Sequence, residues 1–139
     1  MEASEKASVT GRDGRFGIAR VSALVLGLVF VAASITMSVT QDRLSWLQYS
    51  ALLDGIEWGL GALLLLSAIA GESVARTVLR IAGVALVAGA AAGWLARAPV
   101  GDWLGFAVGA GLPGSHAVWF GLTGVAALVV GFASRGGKA

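Results

Sequence analysis

Three ionisable side chains interrupt otherwise apolar stretches of this 139-residue chain: Asp54, Glu57 and His116. Asp54 and Glu57 are three residues apart, so on a helix they share nearly one face. A charged side chain at the centre of a bilayer costs about 3 kcal/mol or more, so acids within a membrane usually face a bundle interior or water. The three residues therefore predict a polar intramembrane site for a cation, a proton or a ligand. The alternative is that the helix is displaced and both acids lie among lipid headgroups.

His116 is the single histidine, and the chain has no cysteine. One imidazole beside two carboxylates is a poor metal signature, because transition-metal sites usually contain several imidazoles or thiolates. We therefore expect no metal, no cofactor and a capping or interfacial role for His116. The sequence contains no P-loop, dinucleotide fingerprint, zinc-protease motif or nucleophile elbow, so we predict no catalytic residue and expect a protein that is not an enzyme.

The elements that carry these residues are apolar. Hydrophobic residues make up 57% of the chain and charged residues 13%, whereas soluble domains carry about 25% charged residues. There is no ionisable side chain between Arg20 and Asp42. The same is true between Glu57 and Glu72. Uncharged apolar runs of about 20 residues are long enough to cross a bilayer as helices, so the sequence predicts an all-α integral membrane protein.

The predicted organisation is one four-helix bundle at 18–134 between a flexible cytoplasmic tail at 1–17 and a cytoplasmic C-terminal tail at 135–139. The four predicted transmembrane helices lie at about 18–40, 46–71, 77–96 and 115–134. A loop containing Pro99 and Asp102 is expected after the third helix. The apolar, glycine-rich segment 103–112 is too short to span, so it is predicted to be interfacial or re-entrant.

The orientation follows from the basic residues. Four spans place both termini and the loop between the second and third helices on one side. That side holds eight of the ten basic residues: Lys6, Arg12, Arg15, Arg20, Arg76, Arg80, Arg135 and Lys138. Arg43 and Arg97 alone fall on the other side, and Trp46, Trp94 and Trp103 mark the helix ends there. Both the positive-inside rule and the aromatic belt then predict a multi-pass protein of the cell membrane with cytoplasmic termini.

Small residues recur at helical spacing on three of the predicted helices. They are Gly55, Gly59, Ala85, Gly89, Gly93, Gly121 and Gly124. Because lipid gives helices no hydrophobic reason to associate, small residues that let backbones approach closely mark packing faces. We predict that they pack the bundle internally, and the alternative is a dimerisation face between copies.

Two short segments resemble one another. Residues 54–60 (DGIEWGL) and 116–122 (HAVWFGL) align as polar, small, aliphatic, variable, aromatic, glycine and leucine. Both begin the second helix of a hairpin, which predicts that the bundle consists of two duplicated helical hairpins.

The start of the second helix with its glycine-rich run, and the sequence LPGSH at 112–116 leading into GLTG at 121–124, carry a further resemblance. They resemble a family of small bacterial four-helix membrane proteins of unknown function, over about residues 20–133. That family typically has an Asn/Asp–His signature at the start of its second and fourth helices. Asp54 and Glu57 stand where the family has histidine and asparagine, and Trp58 and Phe120 where it has a second histidine. The resemblance implies four spans and assigns no activity.

Short helices with small-residue faces and small loops leave little room for a soluble substrate. We expect a non-enzymatic membrane protein that acts as an accessory or interaction subunit or as a homo-oligomer. Its partners would be the lipid bilayer and a membrane protein or a second copy. The net charge of +2 is spread over chain ends and loops, so no nucleic-acid partner is predicted. The alternative is a small transporter or channel lined by Asp54, Glu57 and His116, with its polar site in the outer half of the membrane.

Overall fold

The computed structural model describes residues 17–40, 50–106 and 114–134. Within these ranges the chain is helical and contains no strand. The helices are α1 (Ile18–Thr40), α2 (Ala51–Ala70), α3 (Glu72–Leu95), α4 (Arg97–Trp103) and α5 (Gly114–Ala133). α1, α2, α3 and α5 are each long and apolar enough to cross a membrane. The short helix α4 lies where the sequence predicts a loop.

Two helix starts differ from the prediction for local reasons. α2 begins at Ala51 instead of 46, because Ser50 is extended and its Oγ accepts a hydrogen bond from Leu53 N at 3.3 Å, as an N-cap does. α3 begins at Glu72 instead of 77, because Gly71 alone reverses the chain between α2 and α3 with φ 138°. Glycine adopts such a φ without steric cost.

The predicted interfacial or re-entrant segment 103–112 is only partly described. Trp103 ends α4, and Gly105 then turns the chain with φ 83°. Phe106 N donates to Gly101 O at 3.0 Å and closes this turn. Residues 107–113 lie outside the described residues, as do 1–16, 41–49 and 135–139, which include nearly all of the two predicted tails.

The four long helices form two antiparallel pairs, α1 with α2 and α3 with α5, which contact one another less extensively. Each pair crosses at two glycines. A Cβ built on Gly27 would lie 3.0 Å from Gly61 O, and one built on Gly83 would lie 3.0 Å from Gly124 O. Backbones that approach this closely leave no room for a side chain, so the crossings depend on glycine.

The shared crossing geometry sets a register between the two pairs. Gly61 of α2 corresponds to Gly124 of α5, whereas the predicted alignment of 54–60 with 116–122 would match Gly61 with Thr123. The structural correspondence is therefore displaced by one residue from the one that the sequence suggests. The duplication of the two hairpins stays a prediction.

The glycine-based packing prediction needs correction at several positions. Gly55, Gly59 and Gly89 are exposed, and a Cβ on any of them would meet nothing within 4 Å. Ala85 is exposed as well. These four residues therefore do not pack α2 and α3 internally. Successive helix residues are about 100° apart, so Gly59, which lies two positions before Gly61, points to nearly the opposite side of α2. Ala85 is related to Gly83 on α3 in the same way.

The remaining predicted packing residues do face other helices. Gly93 is buried, a Cβ on Gly121 would lie 3.7 Å from Ala90 Cβ, and one on Gly124 would lie 2.9 Å from Leu86 Cβ. These contacts leave the larger side chains of the core to fill the space between the pairs. The largest fully buried apolar ones are Phe30, Met37, Leu53, Leu64 and Leu79.

Polar contacts hold the helices together at the end where α1 begins, which we call the Arg20 end. The Glu72 carboxylate accepts hydrogen bonds from Ala19 N and Arg20 N, both at 3.0 Å, in the first turn of α1. Arg20 Nε donates to Ala68 O at 2.8 Å. An acid at a helix N-terminus and a guanidinium at a helix C-terminus both oppose the helix dipole, so these contacts stabilise the Arg20 end. The opposite end, where α2 begins, is called the Ser50 end.

Candidate polar groove

An open cavity of about 450 Å³ lies between α1 and α5, with α2 beneath it. Polar side chains from all three helices reach it, namely Thr36, Glu57, Ser115, His116 and Trp119. Its apolar wall comes from Ala33, Met37, Val118 and Leu122. We call this cavity the polar groove.

Glu57 lies on the inward face of α2, which also buries Leu53, Gly61 and Leu64 at helical spacing. The side chain is 1% exposed. The Trp119 indole N–H is a neighbour of this carboxyl. Glu57 Oε2 and Trp119 Nε1 nevertheless both lack a hydrogen-bond partner of normal geometry among the described residues. A buried acceptor without a partner costs about 1–3 kcal/mol, so Glu57 is a source of instability at the floor of the groove.

Asp54 has different surroundings although it precedes Glu57 by less than one turn. Ser34 Oγ donates to Asp54 Oδ1 at 2.6 Å, and Ser38 Oγ donates to Asp54 Oδ2 at 3.2 Å. Both carboxyl oxygens are therefore satisfied by α1. Neither serine was predicted as a site residue, although their spacing of four residues within an apolar helix places them on one face of α1.

His116 is 2% exposed and lies in the first turn of α5. Its ring packs against Phe106, with centroids 5.8 Å apart, and against Phe120, with centroids 6.5 Å apart. The histidine is thus buried within an aromatic cluster. Phe120 lies one turn further along α5, and Phe106 comes from the turn that follows α4.

The short helix α4 leads into the turn that carries Phe106 of this aromatic cluster. Ser50 Oγ, besides capping α2, donates to Leu104 O directly after α4. That contact joins the start of α2 to the turn that carries Phe106. The packing of Phe106 against His116 therefore follows a segment for which the sequence predicts no helix.

The structure accordingly divides the three predicted site residues. Glu57 and His116 line the same groove, whereas Asp54 is bound to the serines of α1. Within the described residues there is no group of three His, Cys, Asp or Glu side chains that could hold a metal ion. The groove offers a buried carboxyl oxygen and an indole N–H, both without a partner among the described residues, against an apolar wall.

A second cavity, of about 350 Å³, lies between α2, α3 and α4. Ile56 and Leu60 of α2 line it opposite Ala85 and Gly89 of α3, and Trp103 closes one side. The described side chains that line it are apolar, so we call it the apolar groove. Ala85 and Gly89, which were predicted to pack internally, line this groove instead.

Comparison of the chain with protein-family models, curated proteins and solved structures finds no match. The resemblance to the small four-helix family stays a prediction. The described residues form an all-helical structure in which four helices are long and apolar enough to span a membrane.

Proposed function

We propose that this chain is a non-enzymatic integral membrane protein of the cell membrane that acts by side-by-side association, as a subunit of a larger assembly or as a homo-oligomer. The observation that carries the proposal is the division of its small residues into two sets. Gly27, Gly61, Gly83 and Gly124 form the internal crossings, whereas Gly55, Gly59, Ala85 and Gly89 stay open on the surface.

The open set is continuous with the apolar groove. Ile56 and Leu60, each next to an open glycine of α2, line that groove opposite Ala85 and Gly89. Small residues on a lipid-facing surface permit close approach of another helix backbone, which is how membrane helices associate. A transmembrane helix of a partner or of a second copy is the occupant that this surface fits.

The exposed apolar side chains support insertion in a bilayer. Leu66 is 64% exposed, Ile69 74%, Leu122 66% and Phe132 62%. They come from two different helices, α2 and α5. Soluble proteins rarely expose extensive apolar patches, whereas lipid-facing helices require apolar side chains.

The basic residues support an orientation with both termini cytoplasmic. Eight of the ten flank the Arg20 end in sequence. Arg20 and Arg80 there donate to helix-terminal carbonyls, Arg80 Nε to Gly131 O at 2.7 Å. In this orientation Glu57 lies about 9 Å from the outer start of α2 and about 20 Å from its inner end, at 1.5 Å per residue.

A small transporter or channel with a polar site in the outer half of the membrane is the second candidate, and it is favoured by the unpartnered acceptor of Glu57. The side chains toward the Arg20 end weigh against it. The buried ones there are largely apolar, and the hydroxyls of Ser67 and Thr123 donate to carbonyls of their own helices. A path through one copy would have to cross this apolar packing.

The proposal is tested by the mass of the protein extracted from its native membrane in polymer-bounded lipid discs. A stoichiometric partner or a defined homo-oligomer is expected. Gly59→Leu and Gly89→Leu should release the monomer without unfolding it, since both positions are open. Ala126→Leu, an exposed small-to-large change on α5, is the matched control and should leave the mass unchanged. A monomeric parent would overturn the proposal.

A further inference from the structure

The polar groove has the dimensions and walls of a ligand site. Its volume of about 450 Å³ lies within the roughly 300–1,000 Å³ range of small-molecule pockets. Met37, Val118 and Leu122 form an apolar wall, and Glu57 forms the floor. Such a site takes a molecule with a hydrocarbon part and a single polar end.

The Glu57 oxygen without a partner indicates which polar group the ligand carries. Glu57 is 1% exposed, and its Oε2 accepts no hydrogen bond from the residues that the structure describes. The chain supplies two hydroxyl donors to Asp54, less than a turn away, and none to Glu57. The Trp119 indole N–H beside it also lacks a partner among the described residues and makes no hydrogen bond of normal geometry to this oxygen. A ligand with N–H groups would provide the donor that the Glu57 oxygen does not receive from the chain.

The charges around the groove select an amine. Among the described residues that line it, the ionisable ones are Glu57 and His116, and no lysine or arginine is among them. Asp54 adds a second acid nearby. These acids disfavour an anionic head and attract a cation. An ammonium forms an ion pair with a carboxylate, and a neutral amine forms the same pair by taking the proton of a carboxylic acid. In either case the bound pair has no net charge. A low-dielectric site tolerates such a pair better than a single ion.

We propose that the polar groove binds a small amphiphilic amine, with its nitrogen on the Glu57 carboxyl and its hydrocarbon chain along Met37, Val118 and Leu122. This activity goes beyond side-by-side association and uses a different surface of the molecule. A single-chain amine fits better than the ammonium of a phospholipid. Glu57 lies about 9 Å from the start of α2, so a lipid head would have to leave the headgroup zone to reach it.

Trp119 provides a direct probe, because it lines the groove beside Glu57. The chain with Trp46, Trp58, Trp94 and Trp103 replaced by phenylalanine, held in phosphatidylcholine nanodiscs, reports binding through the emission of Trp119 alone. Octylamine should change this emission saturably. Three related compounds should each bind at least tenfold more weakly than octylamine. Octanol lacks the nitrogen, octanoate carries the opposite charge, and ethanolamine lacks the hydrocarbon chain.

Glu57→Gln keeps the shape and should weaken octylamine at least tenfold. Asp102→Asn, the same exchange at an exposed acid outside the groove, should not. Val118→Phe narrows the groove at an exposed position, leaves Glu57 intact and should also weaken octylamine, so the test does not depend on one variant folding. Equal octylamine binding by the parent and Glu57→Gln would overturn the proposal. Suppression of octylamine binding by phosphatidylethanolamine in the nanodisc would assign the groove to lipid and overturn the choice of a small amine.

Discussion

Asp54 and Glu57 lie on one helix less than a turn apart, yet their surroundings give them opposite energetic roles. Asp54 receives hydrogen bonds from Ser34 and Ser38, so removal of its carboxyl would leave Ser38 without this acceptor and Ser34 with only the Asp54 backbone oxygen at 3.1 Å. Glu57 has a buried oxygen without a donor among the described residues. Burial of a polar group is costly unless it is hydrogen-bonded. The first acid therefore stabilises the packing of α1 on α2, and the second opposes stability at the floor of a groove.

This contrast predicts the effect of removing each interaction. Glu57→Leu should be at least as stable as the parent, with a gain of up to about 2 kcal/mol, because it removes an unsatisfied buried acceptor. Ser34→Ala should cost about 1–3 kcal/mol, because it removes a donor from Asp54. Unfolding of the purified protein in mild detergent by increasing SDS measures both. A loss of stability in Glu57→Leu comparable to that in Ser34→Ala would show that Glu57 has a partner.

Gly17 and Glu72 form a second pair whose coupling can be measured. A Cβ on Gly17 would collide with the Glu72 carboxyl group, which caps α1 through Ala19 N and Arg20 N. Glu72→Ala should cost about 1–2 kcal/mol, as loss of a helix cap does. Gly17→Ala should cost a similar amount in the parent and much less in the Glu72→Ala background, since the cap is then already lost. Additive losses in this double-mutant cycle would contradict the contact.

At the scale of helices, the crossings depend on a few glycines, and the open glycines provide their controls. A Cβ on Gly124 would lie 3.0 Å from Val87 N, so Gly124→Ala requires a backbone shift and should cost about 1–3 kcal/mol. Gly89→Ala meets nothing and should be neutral or gain up to about 1 kcal/mol through helix propensity. The same SDS unfolding measures both variants in the monomeric protein. If Gly89→Ala destabilised as much as Gly124→Ala, the assignment of internal and open faces would be incorrect.

The helices themselves could be predicted from charge-free apolar runs, because length and hydropathy are local properties. The ends of the helices could be predicted less accurately, because each depends on one local feature. Gly71 ends α2 through its backbone φ of 138°, and Ser50 caps the start of α2 through one side-chain hydrogen bond. The sequence predicted one polar site of Asp54, Glu57 and His116, and the structure brings Glu57 and His116 to one groove while Asp54 binds the serines of α1. The spacing of Ser34 and Ser38 marks them as a polar pair on α1, but it does not identify Asp54 as their partner, because that pairing depends on the register between α1 and α2. That register is set by the crossing glycines and not by the sequence near either residue.

At the scale of the whole molecule, the two ends differ in chemistry. The Arg20 end is joined by charged contacts, Glu72 to the backbone of α1 and arginines to carbonyls of α2 and α5. The Ser50 end is closed by a hydroxyl contact and by aromatic rings around His116. Arginine enrichment at one end is typical of the cytoplasmic face of a membrane protein, whereas aromatic residues are enriched at both faces.

This asymmetry predicts the result of cysteine labelling, for which the absence of native cysteine leaves no background. Single cysteines at Ser4 and Ser73 should resist a membrane-impermeant maleimide in intact cells and react after permeabilisation, because both lie on the proposed cytoplasmic side. Cysteines at Ser45 and Ala98 should react from outside. Ser73 and Ala98 are exposed at opposite ends of α3 and its extension into α4, so they differ in side and not in burial. Labelling of Ser73 together with protection of Ala98 in intact cells would reverse the orientation. The 24 residues of α3 extend about 36 Å as a helix, which is longer than the hydrocarbon core of about 30 Å. Equal labelling of Ser73 and Ala98 would therefore contradict the prediction that α3 spans the membrane.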